Sequence, residues 1–453
     1  MTAVPPLLTF YGDDFTGSSA VLEILALAGL RTVLFLDAPD AALLAKLGDI
    51  RAVGIAGVAR SRSPAWMDAE LPRCFAALKA LGAPILHYKT CSTFDSAPHL
   101  GSIGRATEIG LAVTGADFAP LIVGAPAIGR YQVFGTLFAA LDGVIHRLDR
   151  HPVMARHPAT PMNEADLCRH LDAQTPLPKA VLDGRALLSA LVDDELVAAR
   201  ARGARIIAID AYDDATLSAA GRLVWQAAAA EPAFAVGSQG VEYALTAWWR
   251  QCGLLPETPP PPVLKPAEPV LVVSGSCSEI TARQIAAAQA GGFLIVRVDA
   301  SKAIAASGWA GEIAQASAAV EAGLAEGRNV LACTARGPED SAIAAFSAAL
   351  VKCRVDAGAV HARIGDGLGR IARAARLRLG VRRIVFSGGD TSGHAMLAVG
   401  AEALEFLAPL ADGVPLLRVR SPDAAFDGLE IALKGGQMGD STLFLRAATG
   451  RAP

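Results

Sequence analysis

At 453 residues the chain exceeds what one hydrophobic core usually holds, so two or three domains are expected. A net charge of −3 and a pI near 6.3 argue against a nucleic-acid or anionic-membrane surface, which needs a clustered basic excess. Hydrophobic residues make up 52% and mean hydropathy is +0.38, yet much of this is alanine, and no stretch of about 18 residues runs uninterrupted as a spanning helix requires.

The first residues, MTAVPPLL, show neither a basic stretch nor a cleavage-type sequence, so no signal peptide is expected and the cytoplasm is the expected compartment. Seven cysteines are scattered without a CxxC pair, as for reduced thiols and not for a disulfide framework or structural zinc. The eight histidines include no HExxH, so the pattern points to no tight transition-metal site and metal ligands are not assigned.

In chain order, short β-branched runs alternate with alanine-rich amphipathic segments, which predicts α/β architecture with largely parallel sheets. N-terminal strands are predicted at 7–11, 32–36, 52–57, 85–89, 120–123, 180–182, 205–209 and 233–237. The segment PETPPPPVLKPAEP (256–269) holds seven prolines in fourteen residues and predicts an extended linker. It separates an N-terminal α/β domain (1–255) and a linker (256–268) from a C-terminal α/β domain (269–453). Further strands are predicted at 269–274, 293–298, 329–332, 383–387, 416–419 and 429–433. Ligands of such sheets gather at the carboxyl ends of strands, so the residues after each run carry the functional reading.

After the first strand comes YGDDFTGSS, two adjacent acids where a strand gives way to a helix. One helix cap needs one acid, so a pair suggests that Asp14 or Asp13 orients a bound hydroxyl, accepts its proton or helps to hold Mg2+. After the third strand, Arg60 and Arg62 flank Ser61; after the fourth come Lys89, Ser92 and Thr93; Arg130 follows later. Cations and hydroxyls at strand ends suit a small anionic ligand, guanidinium forks in particular a carboxylate. The segment RHPATPMNEADL (156–167) reads as a capped helix start, with Pro161 and Asn163 structural.

The C-terminal half has three loops of one design: Gly275-Ser276-Cys277-Ser278, Gly388-Gly389-Asp390-Thr391-Ser392-Gly393 and Lys434-Gly435-Gly436-Gln437-Met438-Gly439. Glycines admit an anion to the backbone amides, hydroxyls add donors and a helix N-terminus adds partial positive charge. One such loop is ordinary turn chemistry, but three in one domain point to nucleotide binding. GxxxxGK[ST] and the kinase HRD/DFG set are absent.

The motifs resemble those of the four-carbon acid sugar kinase family: Asp-Asp-Phe-Thr-Gly at Asp13–Gly17, the Gly388–Gly393 loop, and Lys-x-Gly-x-x-Gly at Lys434–Gly439, in the same order along nearly the whole chain. The resemblance implies an N-terminal acid-sugar domain, a C-terminal ATP domain and phosphorylation of a terminal hydroxyl. The active site is then expected in the cleft between domains. The implied ATP contacts are Ser276 or Ser278, Gly388, Gly389, Asp390, Thr391, Gly436 and Gly439. Partners are then a sugar acid and ATP with Mg2+, without nucleic acid or membrane, and a homodimer is allowed. The sequence departs from the family's Lys-x-Asp-Ser-Thr at Cys91 and from its Asp-Ser-Arg at Arg60-Ser61-Arg62. These departures look similar to a subgroup acting on 3-oxo-tetronate or 3-oxo-isoapionate. The alternatives are an NAD(P)-dependent oxidoreductase, for which the glycine spacing is wrong, and a non-catalytic binding protein, which has no use for the acid pair.

Overall fold

Parallel neighbours need a crossover between them, and the alternation of apolar runs with helices supplies one after another. The computed structural model describes residues 5–451 apart from 142, 158, 230 and 437, and of 390–392, 394 and 395 the backbone alone. It divides into two compact units, Met1–Pro259 and Pro260–Pro453.

Unit 1 contains strands β1 (Leu8–Gly12), β2 (Thr32–Phe35), β3 (Ala52–Ala56), β4 (Ile85–Lys89), β5 (Ala119–Ile122), β6 (Arg130–Val133), β7 (Thr136–Leu141), β8 (Val144–Arg147), β9 (Lys179–Leu182), β10 (Ile206–Ile209) and β11 (Ala233–Gly237). Its main sheet has the order β2-β3-β1-β4-β11-β5-β10-β9, parallel throughout. β1, β3 and β4 are buried along their whole length, as strands covered by helices on both faces must be. The chain runs from β1 out to β2, back to β3, and then across to β4 on the other side of β1. That reversal is the topological switch point, where open α/β sheets leave a crevice.

Three strands not foreseen from the sequence, β6, β7 and β8, form a small antiparallel sheet. The β6–β7 turn is Phe134-Gly135, with φ of +49° and +69°, the two left-handed residues that a tight hairpin demands. A phenylalanine in that position hides the signal. Asp210 secures it: this buried carboxylate at the end of β10 accepts hydrogen bonds from the amides of Phe134 (2.6 Å), Gly135 (2.9 Å) and Gly184 (3.0 Å). The helix anticipated after residue 160 starts at Leu167, and its cap is Asp166.

Unit 2 contains β12 (Val270–Ser274), β13 (Leu294–Arg297), β14 (Val330–Cys333), β15 (Arg383–Ser387), β16 (Ala403–Ala411), β17 (Val414–Arg420) and β18 (Glu430–Lys434). The order is β13-β14-β12-β15-β18-β17-β16; the first five are parallel, and β17 runs antiparallel to both neighbours. β16 was not foreseen, although Asp412-Gly413 beside β17 is a hairpin signal. Val272, Ile285, Leu331, Val385 and Phe444 lie in the core of this unit, with Leu264 and Ala267 from the proline-rich segment packed among them. Among the described residues no helix is long and apolar enough to cross a membrane.

Two helices of unit 1, Asp214–Ala227 and Gly240–Gln251, meet at Gly221, where a Cβ would lie 2.0 Å from the Ala244 carbonyl oxygen. Gly311, exposed in the helix Ala306–Ala325, has no neighbour within 4 Å of its Cβ position. Gly221→Ala is therefore expected to destabilise by roughly 1–3 kcal/mol through overpacking. Gly311→Ala should stabilise by roughly 0.5–1 kcal/mol through helix propensity. Urea unfolding of both variants checks the contrast, and equal shifts would refute the close approach.

Candidate active site

The register of unit 1 sets Gly12 beside Ala56 on one side and Lys89 on the other. The backbone stays paired just past the strands: the Asp13 amide donates to the Lys89 carbonyl (2.9 Å), and the Arg60 amide to the Asp13 carbonyl (3.1 Å). Asp13, Asp14, Arg60 and Lys89, up to 76 positions apart in sequence, thus converge at the switch point.

The two acids differ in what they do. Asp14 is the N-cap of the helix Phe15–Leu27; its Oδ1 accepts from the Gly17 amide (3.0 Å) and its Oδ2 from the Thr16 hydroxyl (2.7 Å). Asp13 caps nothing. It is 2% exposed and faces Arg60, whose Nη2 and Nε lie 3.2 and 3.4 Å from its two oxygens. The same Nη2 lies 2.6 Å from Oδ1 of Asp14, and Nζ of Lys89 lies 3.9 Å from that oxygen. Gly17 makes room here: a Cβ at that position would sit 1.9 Å from Lys89 Nζ and 2.4 Å from Asp14 Oδ1, so both side chains would have to move.

Two carboxylates and two cations make the cluster neutral, and its geometry splits the acids. Burial pushes the Asp13 carboxyl above the usual range, with Arg60 opposing and the neighbouring Asp14 charge reinforcing. Burial acts on Asp14 too, but Arg60, Lys89, the Thr16 hydroxyl and the Gly17 amide together outweigh it and hold that carboxyl below the usual range. The Cys91 thiol beside them is pushed up, chiefly by burial and then by Asp95, so it stays protonated.

The remaining residues read from the sequence are less united. Ser61 is exposed and donates to the Val58 carbonyl (3.1 Å); Arg62 is exposed, with its guanidinium 5.6 Å from the centre of the Trp66 ring. Thr93 is buried, lies 3.0 Å from the Cys91 sulfur and donates to Asp95 (2.8 Å), while Ser92 is half-buried. Arg130 starts β6 and spends Nη1 on the carbonyls of Ile128, Gly129 and Ala140 (3.2–3.4 Å); its Nε is buried with no partner among the described residues. Sequence reasoning missed His170 and Gln174, which hold the Ser96 hydroxyl at 2.8 and 2.9 Å. It also missed the fully buried pair of His87, two positions before Lys89, and Glu242 (2.6 Å).

In unit 2, the three glycine loops follow β12, β15 and β18, which are adjacent in the sheet. Their first residues extend the ladder: the Gly275 amide donates to Ser387 (3.0 Å) and the Gly388 amide to Lys434 (2.8 Å). The hydroxyls of Ser276 and Ser278 each lie 2.9 Å from the Thr281 hydroxyl, and that of Ser278 meets the Gly436 carbonyl. Among the described residues, a Cβ on Gly436 would meet nothing nearer than the Ser276 hydroxyl at 3.5 Å, and one on Gly389 nothing within 4 Å, which leaves room for a ligand at both backbones. Gly388 has φ +122° and Gly439 φ +75°, left-handed values that glycine alone adopts freely. The side chains of Asp390 and Thr391 lie outside the described residues; their backbone begins the helix Gly389–Ala398. Beside the serine loop lies a cavity of about 800 Å3, lined by residues including Glu279, Arg297, Arg336 and Asp340. Among the described residues no three His, Cys, Asp or Glu side chains are grouped to hold a metal.

Two domain families match the chain: a sugar-binding N-terminal domain over residues 8–245 and a nucleotide-binding C-terminal domain over residues 271–444. A 3-oxo-isoapionate kinase of Paraburkholderia graminis is 45% identical over 98% of this chain and 94% of its own. A 3-oxo-tetronate kinase of Pseudomonas fluorescens is 32% identical over 98% and 96%. Among solved structures, a Haemophilus influenzae protein aligns with a TM-score of 0.71 at 25% identity, over 97% of this chain and 98% of its own. A Salmonella typhimurium LT2 protein aligns with a TM-score of 0.77 over the same shares; at 22% identity that likeness shows the fold alone.

The opposed carboxyl shifts have a measurable consequence. In protein carrying labelled aspartate carboxyls, carbon NMR should find Asp13 taking up its proton at higher pH than Asp14. The depressed Asp14 contributes stability that is present above its unfolded value and lost as the pH falls through its folded value; the raised Asp13 acts in the opposite sense. The unfolding midpoint of Asp14→Asn should accordingly lie below wild type at pH 7 and approach it in acid. A reversed order of titration would refute the assignment of the two environments.

Proposed function

The chain belongs to the four-carbon acid sugar kinase family and is a sugar-acid kinase using ATP, and from that premise we propose a 3-oxo sugar acid of the 3-oxo-isoapionate type as its acceptor. A terminal hydroxyl of that acid receives the phosphoryl group, and Mg2+ arrives with ATP, held mainly by the phosphates. The substrate choice follows the gap between 45% and 32% identity in the two kinds of relative. The kinase assignment displaces the oxidoreductase alternative.

The observation that carries the mechanism is the neutralised acid pair at the ends of β1, β3 and β4. Phosphoryl transfer passes through a loose transition state, in which positioning and charge stabilisation supply most of the catalysis. Asp14 is the more open acid, 20% exposed against 2% for Asp13. Held charged by its cations, it accepts the hydrogen bond of the acceptor hydroxyl and aims its oxygen at phosphorus. Asp13 is a positioning residue that fixes Arg60, and Arg60 in turn fixes Asp14. The exposed edge of Arg60, with Arg62, receives the substrate carboxylate; Ser61, Ser92, Thr93 and Arg130 shape the surrounding loops. On unit 2 the amides of Gly388, Gly389, Gly436 and Gly439, with the Ser276 and Ser278 hydroxyls and with Asp390 and Thr391, cradle the ATP phosphates. The nucleoside lies in the adjoining cavity.

Incubation with ATP, Mg2+ and a panel of four- and five-carbon sugar acids should release ADP fastest with a branched 3-oxo acid. A rate as high with unoxidised tetronates would overturn the substrate choice. Asp14→Asn provides the sharper test of mechanism, since asparagine caps a helix as well as aspartate does. This variant should bind ADP normally yet lose at least about 100-fold in kcat. Near-normal turnover would reduce Asp14 to a helix cap.

A further inference from the structure

Lys434, the last residue of β18, is fully buried, and it is not among the nucleotide contacts assigned above. Its Nζ donates to the Thr281 hydroxyl (2.7 Å) and to the Gly436 carbonyl (3.0 Å). An ammonium has three donors and no acceptor capacity, so both contacts run one way. Among the described residues no carboxylate forms an ion pair with it. On β18 and the flanking β15 and β17, the other charged residues, Glu430, Arg383, Arg418 and Arg420, sit at the opposite ends of the strands, where Arg383 bonds Glu430 and Arg420 bonds Glu405. Glu279 and Arg283, on the helix Glu279–Ala290, are exposed. The helix Gly389–Ala398 contributes Asp390 and His394, whose side chains are outside the described set. A lone buried cation is expensive unless something neutralises it.

We propose that Lys434 is the counter-charge of the nucleotide phosphates: acting through Thr281, it sets the Ser276 hydroxyl to donate outward, and nucleotide binding keeps it protonated. The inference rests on the kinase reading and deepens it. Because Lys434 donates to Thr281, and Ser278 donates to it as well (2.9 Å), the Thr281 hydroxyl must send its own proton elsewhere; Ser276 Oγ at 2.9 Å is a nearer acceptor than the Gly436 carbonyl at 3.4 Å. Ser276 then accepts from Thr281, and from the Ser278 amide at 3.4 Å, which leaves its own O–H only a long contact to the Ser278 hydroxyl (3.4 Å), one that an anion above Gly436 would displace. If Lys434 loses its proton it becomes an acceptor, the Thr281 hydroxyl can turn toward it, and Ser276 loses the partner that directs its hydroxyl outward. A single proton thus controls both the charge of the cradle and the direction of its hydroxyls.

Burial pulls the Lys434 ammonium down to about 8. A bound phosphate favours the charged form and raises that value. Nucleotide binding should therefore take up a proton at pH 8.5 and almost none near pH 7, where Lys434 is already charged in both states.

Calorimetric titration of the full chain with ADP and Mg2+, in two buffers of different ionisation enthalpy, reads this directly. Wild type should take up more than about half a proton at pH 8.5, and its affinity should fall up to about tenfold per pH unit above 8. Lys434→Gln keeps neutral donors for Thr281 and Gly436; it should abolish the uptake and weaken ADP about tenfold or more at pH 7. Thr281→Val should weaken ADP but keep the uptake, because the cation remains. Wild-type binding without proton uptake at pH 8.5, or Lys434→Gln with wild-type affinity, overturns the proposal. A wild-type chain that binds no ADP at either pH fails the kinase reading itself, which is a separate result.

Discussion

One guanidinium holds the acid cluster of unit 1 together. Arg60 lies within 2.6 to 3.4 Å of oxygens on both Asp13 and Asp14, adjacent acids whose mutual repulsion nothing else in the cluster meets so closely. Lys89 reaches only one of them, at 3.9 Å. Removing one partner of a buried pair costs about 3–5 kcal/mol, because the other charge is left uncompensated. The bridge also transmits geometry. The Arg60 amide bonds the Asp13 carbonyl, so the turn after β3 is registered on the turn after β1 before any side chain is placed. Charge balance and strand register are here one constraint.

Unit 2 solves the opposite problem. Its loops present amides, hydroxyls and a buried lysine, and among the described residues no carboxylate pairs with that lysine. An internally balanced site suits an acceptor that must be oriented, since neither charge is drained by the ligand. A site with surplus positive charge suits a polyanion, whose arrival completes it. The two units share a core of parallel strands, and what separates them chemically is whether the cations at the strand ends already have partners.

Much of this was legible because the strands end where the chemistry starts. β1, β4 and β15 are short, mainly hydrophobic runs, and Asp13, Asp14, Lys89 and Gly388 sit at or just beyond their carboxyl ends. What escaped has two physical causes. The hairpins of β6–β8 lack full burial, and Phe134 occupies a backbone conformation that sequence reasoning reserves for glycine or asparagine. The second cause is distance along the chain. Lys434 and Thr281 are 153 positions apart, and Glu242 lies 155 positions after His87, so no local pattern announces either pair. Arg60 and Arg62 look alike in the sequence, yet Arg60 turns inward to the acids while Arg62 lies over the Trp66 ring.

The buried His87–Glu242 pair shows how far the frame beneath the site is specified. Both ring nitrogens of His87 face oxygens, Nδ1 that of Glu242 at 2.6 Å and Nε2 the Gly237 carbonyl at 3.2 Å. The Gly237 carbonyl also accepts from the Thr90 amide at 2.6 Å, immediately after Lys89. A polar pair in an apolar core tolerates few arrangements, because losing either contact strands a further buried polar atom. It therefore pins the end of β4 against β11 in one register. Lys89 is then delivered to Asp14 by the backbone and not by the choice of one flexible side chain, and a glycine at position 17 suffices to receive it.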